Sequence, residues 1–294
     1  MVVAPLIVAL LLAAALMHAS WNALLKADRS DRLATFGVIM TTGTLMGVIA
    51  VPFLPPIAPG AWKFLAISVI VHVAYYTFLL KAYSYGDLSH TYPIARGLGP
   101  LLVALVSGQL IGEHLRAQDM VGVLLLSGSL VALAIPLKSV KPQPGGRHGL
   151  ATLFAVLTGF TIASYIVADG FGVRASGPDM AHRLAYIAWL CVLEGPWLLV
   201  LAIVLRPATV WSHLKRHWWK GVIGGLIANT GYGIAIYALA MGPMAHIAAL
   251  RETSVLFGAL MGTLLLGEPF GRRRVVAAAV IVTGLALMNG PQLL

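Results

Sequence analysis

Ten apolar segments, each about as long as a membrane-crossing helix, dominate this sequence. A helix needs ~20 consecutive apolar residues to cross the hydrocarbon core of a bilayer. The ten candidate spans cover residues 3–25, 33–53, 62–82, 88–111, 118–137, 149–169, 182–205, 218–240, 244–266 and 274–290. Because 59% of the residues are hydrophobic and only 10% are charged, a soluble core could not hide this much apolar surface. The sequence therefore predicts an all-α polytopic membrane protein with ten transmembrane helices.

The first apolar segment differs from a secretory signal peptide in the position of its charges. No basic residue precedes it, whereas Lys26, Arg29 and Arg32 follow it. We therefore expect this segment to be a transmembrane span and not a cleaved signal. The single cysteine, Cys191, lies inside an apolar run, so it predicts no disulfide framework.

Residues of the stretch 86–113 recur in the second half of the chain. Tyr76, Gly86 and His90 are followed 156 residues later by the same residue types. At a spacing of 155 residues, seven further positions recur, among them Arg96 and the pair Gly112-Glu113. Such an echo indicates duplication of one unit. It predicts two five-helix repeats, residues 1–137 and 149–294, joined by a linker, residues 138–148, that is rich in Pro, Gly and basic side chains.

The distribution of basic residues predicts the orientation of the spans. Of the 20 Lys and Arg residues, 14 lie in loops that follow odd-numbered spans and four lie on the opposite side. The side with the excess is normally cytoplasmic, so both termini are predicted on the non-cytoplasmic side. Since each repeat has an odd number of helices, the two repeats insert in opposite directions, as in secondary transporters that bind substrate between inverted repeats. The net charge of +10 thus reflects topology, and we expect no nucleic-acid partner.

A Gly-Glu pair ends both the fourth and the ninth span, and the second pair closes the run HIAALRETSVLFGALMGTLLLGE, residues 246–268. Together with the ten spans in two halves, these features resemble the EamA-type transporters of the drug/metabolite transporter superfamily, and within it the YddG-type aromatic amino-acid exporters. The resemblance implies a multi-pass protein of the cell inner membrane that exports small metabolites, amino acids among them, by alternating access. It also implies a central cavity lined by the first, third, fourth, sixth, eighth and ninth spans. Export of other metabolites or drugs on the same scaffold is the alternative.

Two arginines, Arg96 and Arg251, lie deep inside spans. Each is about eight residues from the start of its span, or ~12 Å at the rise of an α-helix. A charged side chain in a membrane helix is costly, by about 2.5–3.5 kcal/mol on insertion scales, so it faces protein or water. Each arginine is therefore a candidate to bind a substrate carboxylate or an internal acid. The alternative is that both serve packing only.

Polar and aromatic side chains form stripes at helical spacing on several spans. Such faces are costly in lipid and should point inward. Tyrosine and asparagine can bond the polar ends of a zwitterion while rings stack on an apolar side chain, which favours a small organic solute. With the two arginines, the candidate substrate-binding residues are His18, Trp21, Asn22, Tyr76, Arg96, Tyr165, Asn229, Tyr232, His246 and Arg251.

Four acidic residues receive separate predictions. Glu194 and Glu252 lie inside spans and are candidates to carry a coupling proton or to partner an arginine. Adjacent helix residues do not face each other, so Glu252 is not expected to neutralise Arg251. Glu113 and Glu268 end their spans, and we predict that they brace the fifth and tenth helices.

An embedded enzyme and a channel are the competing classes. His114 and Asp119 form an H-x4-D pattern, but no nucleophile or phosphate site accompanies it. Metalloprotease, serine-hydrolase and Walker A motifs are missing from the sequence, so we expect no enzyme activity, no metal and no cofactor. A channel would conduct without saturation or exchange. The predicted partners are a small-molecule substrate and the lipid bilayer, with a monomer favoured.

Overall fold

The computed structural model describes residues 3–27, 32–86, 88–135, 147–266 and 271–293. The described residues form twelve α-helices and one short 3-10 turn, Val51–Phe53. The helices are α1 (Pro5–Ala27), α2 (Arg32–Ala50), α3 (Pro59–Tyr85), α4 (Leu88–Ile111), α5 (Ala117–Leu133), α6 (His148–Ala175), α7 (Met180–Glu194), α8 (Pro196–Leu205), α9 (Pro207–Leu239), α10 (Met244–Arg251), α11 (Thr253–Leu266) and α12 (Arg272–Leu293).

The all-α polytopic membrane fold is confirmed. Within the described ranges, nine helical stretches are long and apolar enough to cross a membrane, and the 17-residue helix α5 is apolar as well. Each of the ten predicted spans overlaps one of these helical stretches. The inverted orientation of the two halves stays a prediction, and most of the predicted linker, together with Arg29 and Glu268, lies outside the described residues.

Two of the predicted spans are interrupted at charged residues. The seventh span consists of α7 and α8, because Pro196 starts a new helix directly after Gly195 and cannot donate a backbone hydrogen bond. The ninth span consists of α10 and α11, which meet at Glu252. The interruptions leave Glu194 at the end of α7 and Arg251 at the end of α10, which places a charge at each break.

Two helices are longer than the sequence predicted. The sixth span was expected to end at Asp169, but α6 continues to Ala175, so Asp169 is a buried residue inside the helix. Arg174 in the last turn supports this extension by donating hydrogen bonds to the carbonyl oxygens of Leu239 (2.9 Å) and Gly242 (2.7 Å). Helix α9 begins at Pro207, eleven residues before the predicted start at 218.

The loop between α6 and α7 ends in a charged helix cap. Asp179 accepts hydrogen bonds from the side chain of His182 (2.8 Å) and from its backbone N–H (3.0 Å). These bonds hold the pKa of the exposed Asp179 carboxyl below its ordinary value. The carboxylate therefore stays ionised at the start of α7, where the helix dipole favours negative charge.

Helices from the two halves of the chain interlock. The most extensive contacts join α3 and α4 to α6, α5 to α12, and α1 and α2 to α9. Helices α5 and α12 approach most closely at Gly122 and Gly284, where an added Cβ on either glycine would lie 2.5–2.6 Å from the carbonyl oxygen of the other. Because each half buries its inner helices against the other half, polar side chains of both halves meet at the centre of the molecule.

Candidate substrate-binding site

A small cavity lies in the interior where α1, α4, α9 and α10 meet. Its polar lining is His18, Arg96, Tyr232 and Arg251, and the small residues Ala14, Ala15, Gly231 and Ala235 complete it. The volume is about 20 Å³, which is room for about one water molecule. A solute of amino-acid size can therefore enter only after the surrounding helices move apart.

Arg96 is an internal ion-pair partner. Its Nε atom lies 3.0 Å from Oε2 of Glu252, and its Nη2 atom donates a 3.1 Å hydrogen bond to Ser254 Oγ. Arg96 is 7% exposed and Glu252 is 2% exposed. In this low-dielectric environment each charge stabilises the other, and α4 is tied to the break between α10 and α11.

Arg251, the residue at the matching position of the second repeat, is placed differently. Its guanidinium carbon lies 5.5 Å from the centroid of the Tyr232 ring, a cation–π contact. Within the part of the chain that the structure describes, Arg251 makes no ion pair, and its Nη1 atom is buried without a hydrogen-bond partner. A buried donor atom of a cation that has no partner is costly, and an anionic group that entered the cavity would relieve that cost.

A hydrogen-bond network adjoins the cavity behind Tyr232. The hydroxyl of Tyr232 donates a 2.8 Å hydrogen bond to Asp169, and the hydroxyl of Tyr186 donates one of 3.1 Å. Nε2 of His72 lies 3.1 Å from the Tyr232 hydroxyl oxygen. The ring of Tyr165 stacks on His72 with a centroid distance of 4.3 Å. Tyr232 therefore connects the cavity to a buried carboxylate and a buried histidine.

Glu194 belongs to the same network. Its Oε1 atom accepts a short hydrogen bond from the hydroxyl of Tyr76 and lies 3.6 Å from Nε2 of His72. The interruption at Gly195-Pro196 positions this carboxylate at the end of α7, and α7 packs on both α2 and α3. Two carboxylates, Glu194 and Asp169, thus flank one histidine.

Aromatic rings continue from the network toward α1. The rings of Trp21 and Phe36 are stacked at 5.8 Å, and Phe36 meets Tyr76 edge-on at 5.9 Å. His18 meets Trp21 edge-on at 5.3 Å. Asn22 donates a 2.7 Å hydrogen bond to the carbonyl oxygen of His18 within its own helix. These rings supply apolar surface close to the cavity.

Two of the predicted binding residues lie elsewhere. The Asn229 side chain donates hydrogen bonds to the carbonyl oxygens of Gly225 (2.7 Å) and Ile39 (3.0 Å), so it fastens α9 to α2. His246 is buried near the start of α10, 3.5 Å from Asp119. A helical stripe identifies an inward-facing position, but inward-facing positions also serve the contacts between helices.

The sequence predicted that Glu113 braces the fifth helix, but the structure shows this carboxylate at the start of α10. Both carboxylate oxygens of Glu113 accept hydrogen bonds from the backbone N–H of Met244, at 2.9 and 3.0 Å, and Arg174 lies 3.4 Å away. Glu113 therefore caps the start of α10, where the helix dipole favours a carboxylate. The other half of the predicted pair, Glu268, falls outside the described residues.

Asp119, part of the enzyme-like pattern, is engaged in structure. It accepts hydrogen bonds from Arg116 at 2.8–3.0 Å, through the side chain and the backbone N–H, and so completes a capping box at the start of α5. Because both oxygens of the carboxylate already accept hydrogen bonds from Arg116, Asp119 is poorly suited to orient a catalytic base.

The candidate binding residues did not include His72, Asp169 and Phe36, although the sequence places His72 and Asp169 on stripes that should point inward. His72 and Asp169 share helical stripes with the predicted residues Tyr76 and Tyr165, at i,i+4 in both cases. That spacing was the signal that could have identified them. Phe36 lies on α2, which looks apolar around most of its circumference, so no local pattern distinguished it.

Comparison with known proteins shows which sequences and structures this chain resembles. An uncharacterized protein of Pseudomonas aeruginosa, PA1977, is 26% identical over 294 residues, covering 92% of this chain and 89% of that protein. The WAT1-related protein At3g02690, chloroplastic, of Arabidopsis thaliana is 24% identical over 198 residues, covering 66% of this chain and 46% of that protein. A crystal structure of a further protein superposes with a TM-score of 0.72 at 18% identity, covering 98% of this chain and 96% of that one, which shows a shared fold.

The second half of the chain gives the most specific match. Residues 149–290 fit the sequence profile of the EamA-like transporter family. This range contains Tyr232, Glu252 and Arg251, which surround the central cavity, and Asp169 of the adjoining network. The match is to a family of transporters: over residues 149–290, this chain carries the sequence pattern of the EamA-like transporter family.

Proposed function

We propose that this protein is a secondary transporter that exports amino acids, aromatic ones included, by alternating access. The observation that carries the proposal is Arg251, a cation beside the central cavity whose Nη1 atom is buried and unpaired. A substrate carboxylate would give this guanidinium the charge-assisted hydrogen bonds that the protein itself does not supply. A single carboxylate fits one open cation better than the more highly charged phosphate of a sugar phosphate or a nucleotide does.

The surroundings of Arg251 favour a substrate with an aromatic side chain. The rings of Tyr232 and Tyr165 meet edge-on at 6.3 Å next to the cavity, and Trp21 lies on the same helix as His18. Rings in such arrangements gain about 0.5–1.5 kcal/mol from contact with another ring, beyond the burial of apolar area. Asp169 and Glu194 lie on the far side of Tyr232 and can bind an ammonium group.

Alternating access explains why the cavity is so small. The structure is closed around a space of about 20 Å³, so substrate is admitted only when one side opens. The helix breaks at Gly195-Pro196 and at Glu252 are places where spans of the second half can bend. Opening on alternate sides of an inverted pair of repeats would carry substrate past a fixed site.

The direction of transport requires a defined orientation in the inner membrane. Both termini on the non-cytoplasmic side follow from the excess of basic residues in loops after odd-numbered spans. Single cysteines replacing Arg147 and Gly290, in a Cys191→Ala background, should react with a membrane-impermeant maleimide from opposite sides. Reaction of both from the same side would refute this topology.

Counterflow in liposomes tests the transport function. Purified protein in liposomes preloaded with phenylalanine should accumulate labelled phenylalanine transiently, with a rate that saturates. Unlabelled tryptophan should compete, whereas a sugar phosphate should not. Uptake of drugs or sugar phosphates without amino-acid uptake would overturn the substrate class, and conductance without counterflow would overturn the carrier mechanism.

A further inference from the structure

The charges around the cavity do not balance, although only Arg96, Asp169 and Glu252 are fully buried and Arg251 and Glu194 are partly buried. In the part of the chain that the structure describes, two arginines, Arg96 and Arg251, face three carboxylates, Asp169, Glu194 and Glu252. Arg96 and Glu252 neutralise each other at 3.0 Å. This leaves two carboxylates and one cation, which is one negative charge too many for a site away from water.

The hydrogen bonds of His72 point to where the missing positive charge belongs. Its Nδ1 atom lies 2.9 Å from the carbonyl oxygen of Ser68, which can only accept, so Nδ1 carries a hydrogen. The Tyr232 hydroxyl has one hydrogen but two partners, Asp169 at 2.8 Å and His72 Nε2 at 3.1 Å. If His72 is neutral and Asp169 is ionised, only one of these two contacts can be a hydrogen bond.

One additional proton satisfies both contacts. Placed on Nε2 of His72, it bonds to the Tyr232 oxygen while Tyr232 donates to Asp169. Placed on Asp169, it bonds to the same oxygen while Tyr232 donates to Nε2. In either arrangement the cluster gains the single positive charge that the charge count requires. The hydrogen-bond inventory and the charge balance are separate observations, and both call for one proton.

We propose that His72, Asp169 and Glu194 form a proton-binding site, and that a substrate ammonium group displaces the proton, so that export is exchanged for proton entry. The coupling of export to proton entry rests on the proposed amino-acid export. The proton-binding site does not depend on that proposed function. The proton leaves His72 or Asp169 for water on the cytoplasmic side, and the amino acid binds as a zwitterion.

The surroundings of the cluster allow the exchange. The ionisable groups that face it are Tyr75 and Tyr76 on α3, Tyr165 on α6, Tyr186 and Cys191 on α7, Tyr232 on α9 and Arg251 on α10. Arg251 is the one permanent cation among these groups; Arg96 also lines the cavity but is paired with Glu252. A carboxylate on Arg251 would direct the ammonium group along Tyr232 toward Asp169.

A bound proton and a bound ammonium group exclude each other. Two unit charges 4 Å apart repel by about 4 kcal/mol at an effective dielectric constant of 20. His72 is 3% exposed and Asp169 is 1% exposed, so neither meets water in the closed structure. Proton exchange therefore requires the same opening that admits substrate, which links the two events.

Infrared difference spectroscopy tests the proton site without any substrate. Between alkaline and acidic solutions, the wild-type protein should show bands of a protonated imidazole or carboxyl group that Glu194→Gln or His72→Gln removes. His182→Gln is the matched control, because this histidine also pairs with a carboxylate but at the surface. Identical difference spectra for the wild type and the cluster variants would overturn the site.

Proton release on substrate binding tests the coupling. In a weakly buffered solution with a pH dye, the wild-type protein should release about one proton for each phenylalanine bound, and Glu194→Gln should release none. Phenylalanine binding without proton release would overturn the exchange. Absence of phenylalanine binding would instead contradict the proposed function. In that case the infrared measurement would still test the proton-binding site. If one cluster variant does not fold, the other decides the proton site, and proton release by the wild-type protein alone decides the coupling.

Discussion

Arg96 and Arg251 occupy matching positions in the two repeats, yet the structure gives them opposite surroundings. Arg96 contacts Glu252 and Ser254, which both come from the second half of the chain. Arg251 lies over the face of Tyr232 and beside the cavity, and it has no ion-pair partner among the described residues. One cation therefore joins the two halves, and the other is available to a ligand.

The difference follows from the residue after each arginine. Glu252 follows Arg251, whereas Gly97 follows Arg96. Neighbouring helix residues point in different directions, so Glu252 reaches across to α4 and leaves Arg251 alone. In the proposed function, the single acidic residue after Arg251 separates the structural role of Arg96 from the binding role of Arg251.

The largest effect should come from breaking the Arg96 pair. Arg96→Gln leaves Glu252 buried without a cation, which should cost about 3–5 kcal/mol of stability. Thermal unfolding in detergent should show a lower midpoint, and the double variant Arg96→Gln with Glu252→Gln should recover part of the loss. A single variant as stable as the wild type would mean that the pair does not hold the halves together.

Arg251→Gln should have the opposite profile. It removes a partly buried charge that has no ion-pair partner, so the unfolding midpoint should not fall, but phenylalanine should bind about 30–150 times more weakly, equivalent to about 2–3 kcal/mol. Arg183→Gln is the matched control, since Arg183 also lies over a tyrosine ring, at 5.9 Å from the centroid of Tyr237, away from the cavity. A loss of stability with unchanged affinity would reverse the roles assigned to the two arginines.

Tyr232→Phe should separate the contribution of the tyrosine ring from the contribution of its hydroxyl group. The ring beneath Arg251 remains, while Asp169 and His72 lose one hydrogen-bond partner, so stability should fall by about 1.5 kcal/mol. Phenylalanine affinity, measured by calorimetry, should fall less than in Arg251→Gln. An equal or greater fall in affinity would show that the hydroxyl, and not the arginine, dominates binding.

The smallest effect is expected at Asn229. Asn229→Ala removes a hydrogen bond between α9 and α2, so we expect a loss of about 1 kcal/mol in stability and no change in affinity. The same unfolding and binding measurements apply. A clear loss of affinity would show that Asn229 contacts the substrate, and that the binding site extends beyond the residues that line the cavity.

Sequence reasoning could locate the spans but not the partners of their polar residues. Apolar length and charge position identify each helix, because the bilayer imposes both. Helical spacing also marked Tyr232 as inward-facing, and the cost of a charge inside a span did the same for Arg96 and Glu194. The spacing carries no information on which inward residues meet, since Arg96 and Glu252 lie 156 positions apart in the chain. The break at Pro196 follows from a local residue, whereas the break at Glu252 coincides with that long-range contact.

The central claim is that the substrate carboxylate binds Arg251, and a comparison of two ligands tests it most directly. Phenylalanine and phenethylamine differ only in the carboxylate, so their affinity ratio isolates its contribution. In the wild type the ratio should be about 30–150, and in the variant with Arg96→Gln and Glu252→Gln it should stay near that value. In Arg251→Gln it should collapse toward unity. A ratio that survives in Arg251→Gln but is lost when Arg96 and Glu252 are replaced would contradict the account.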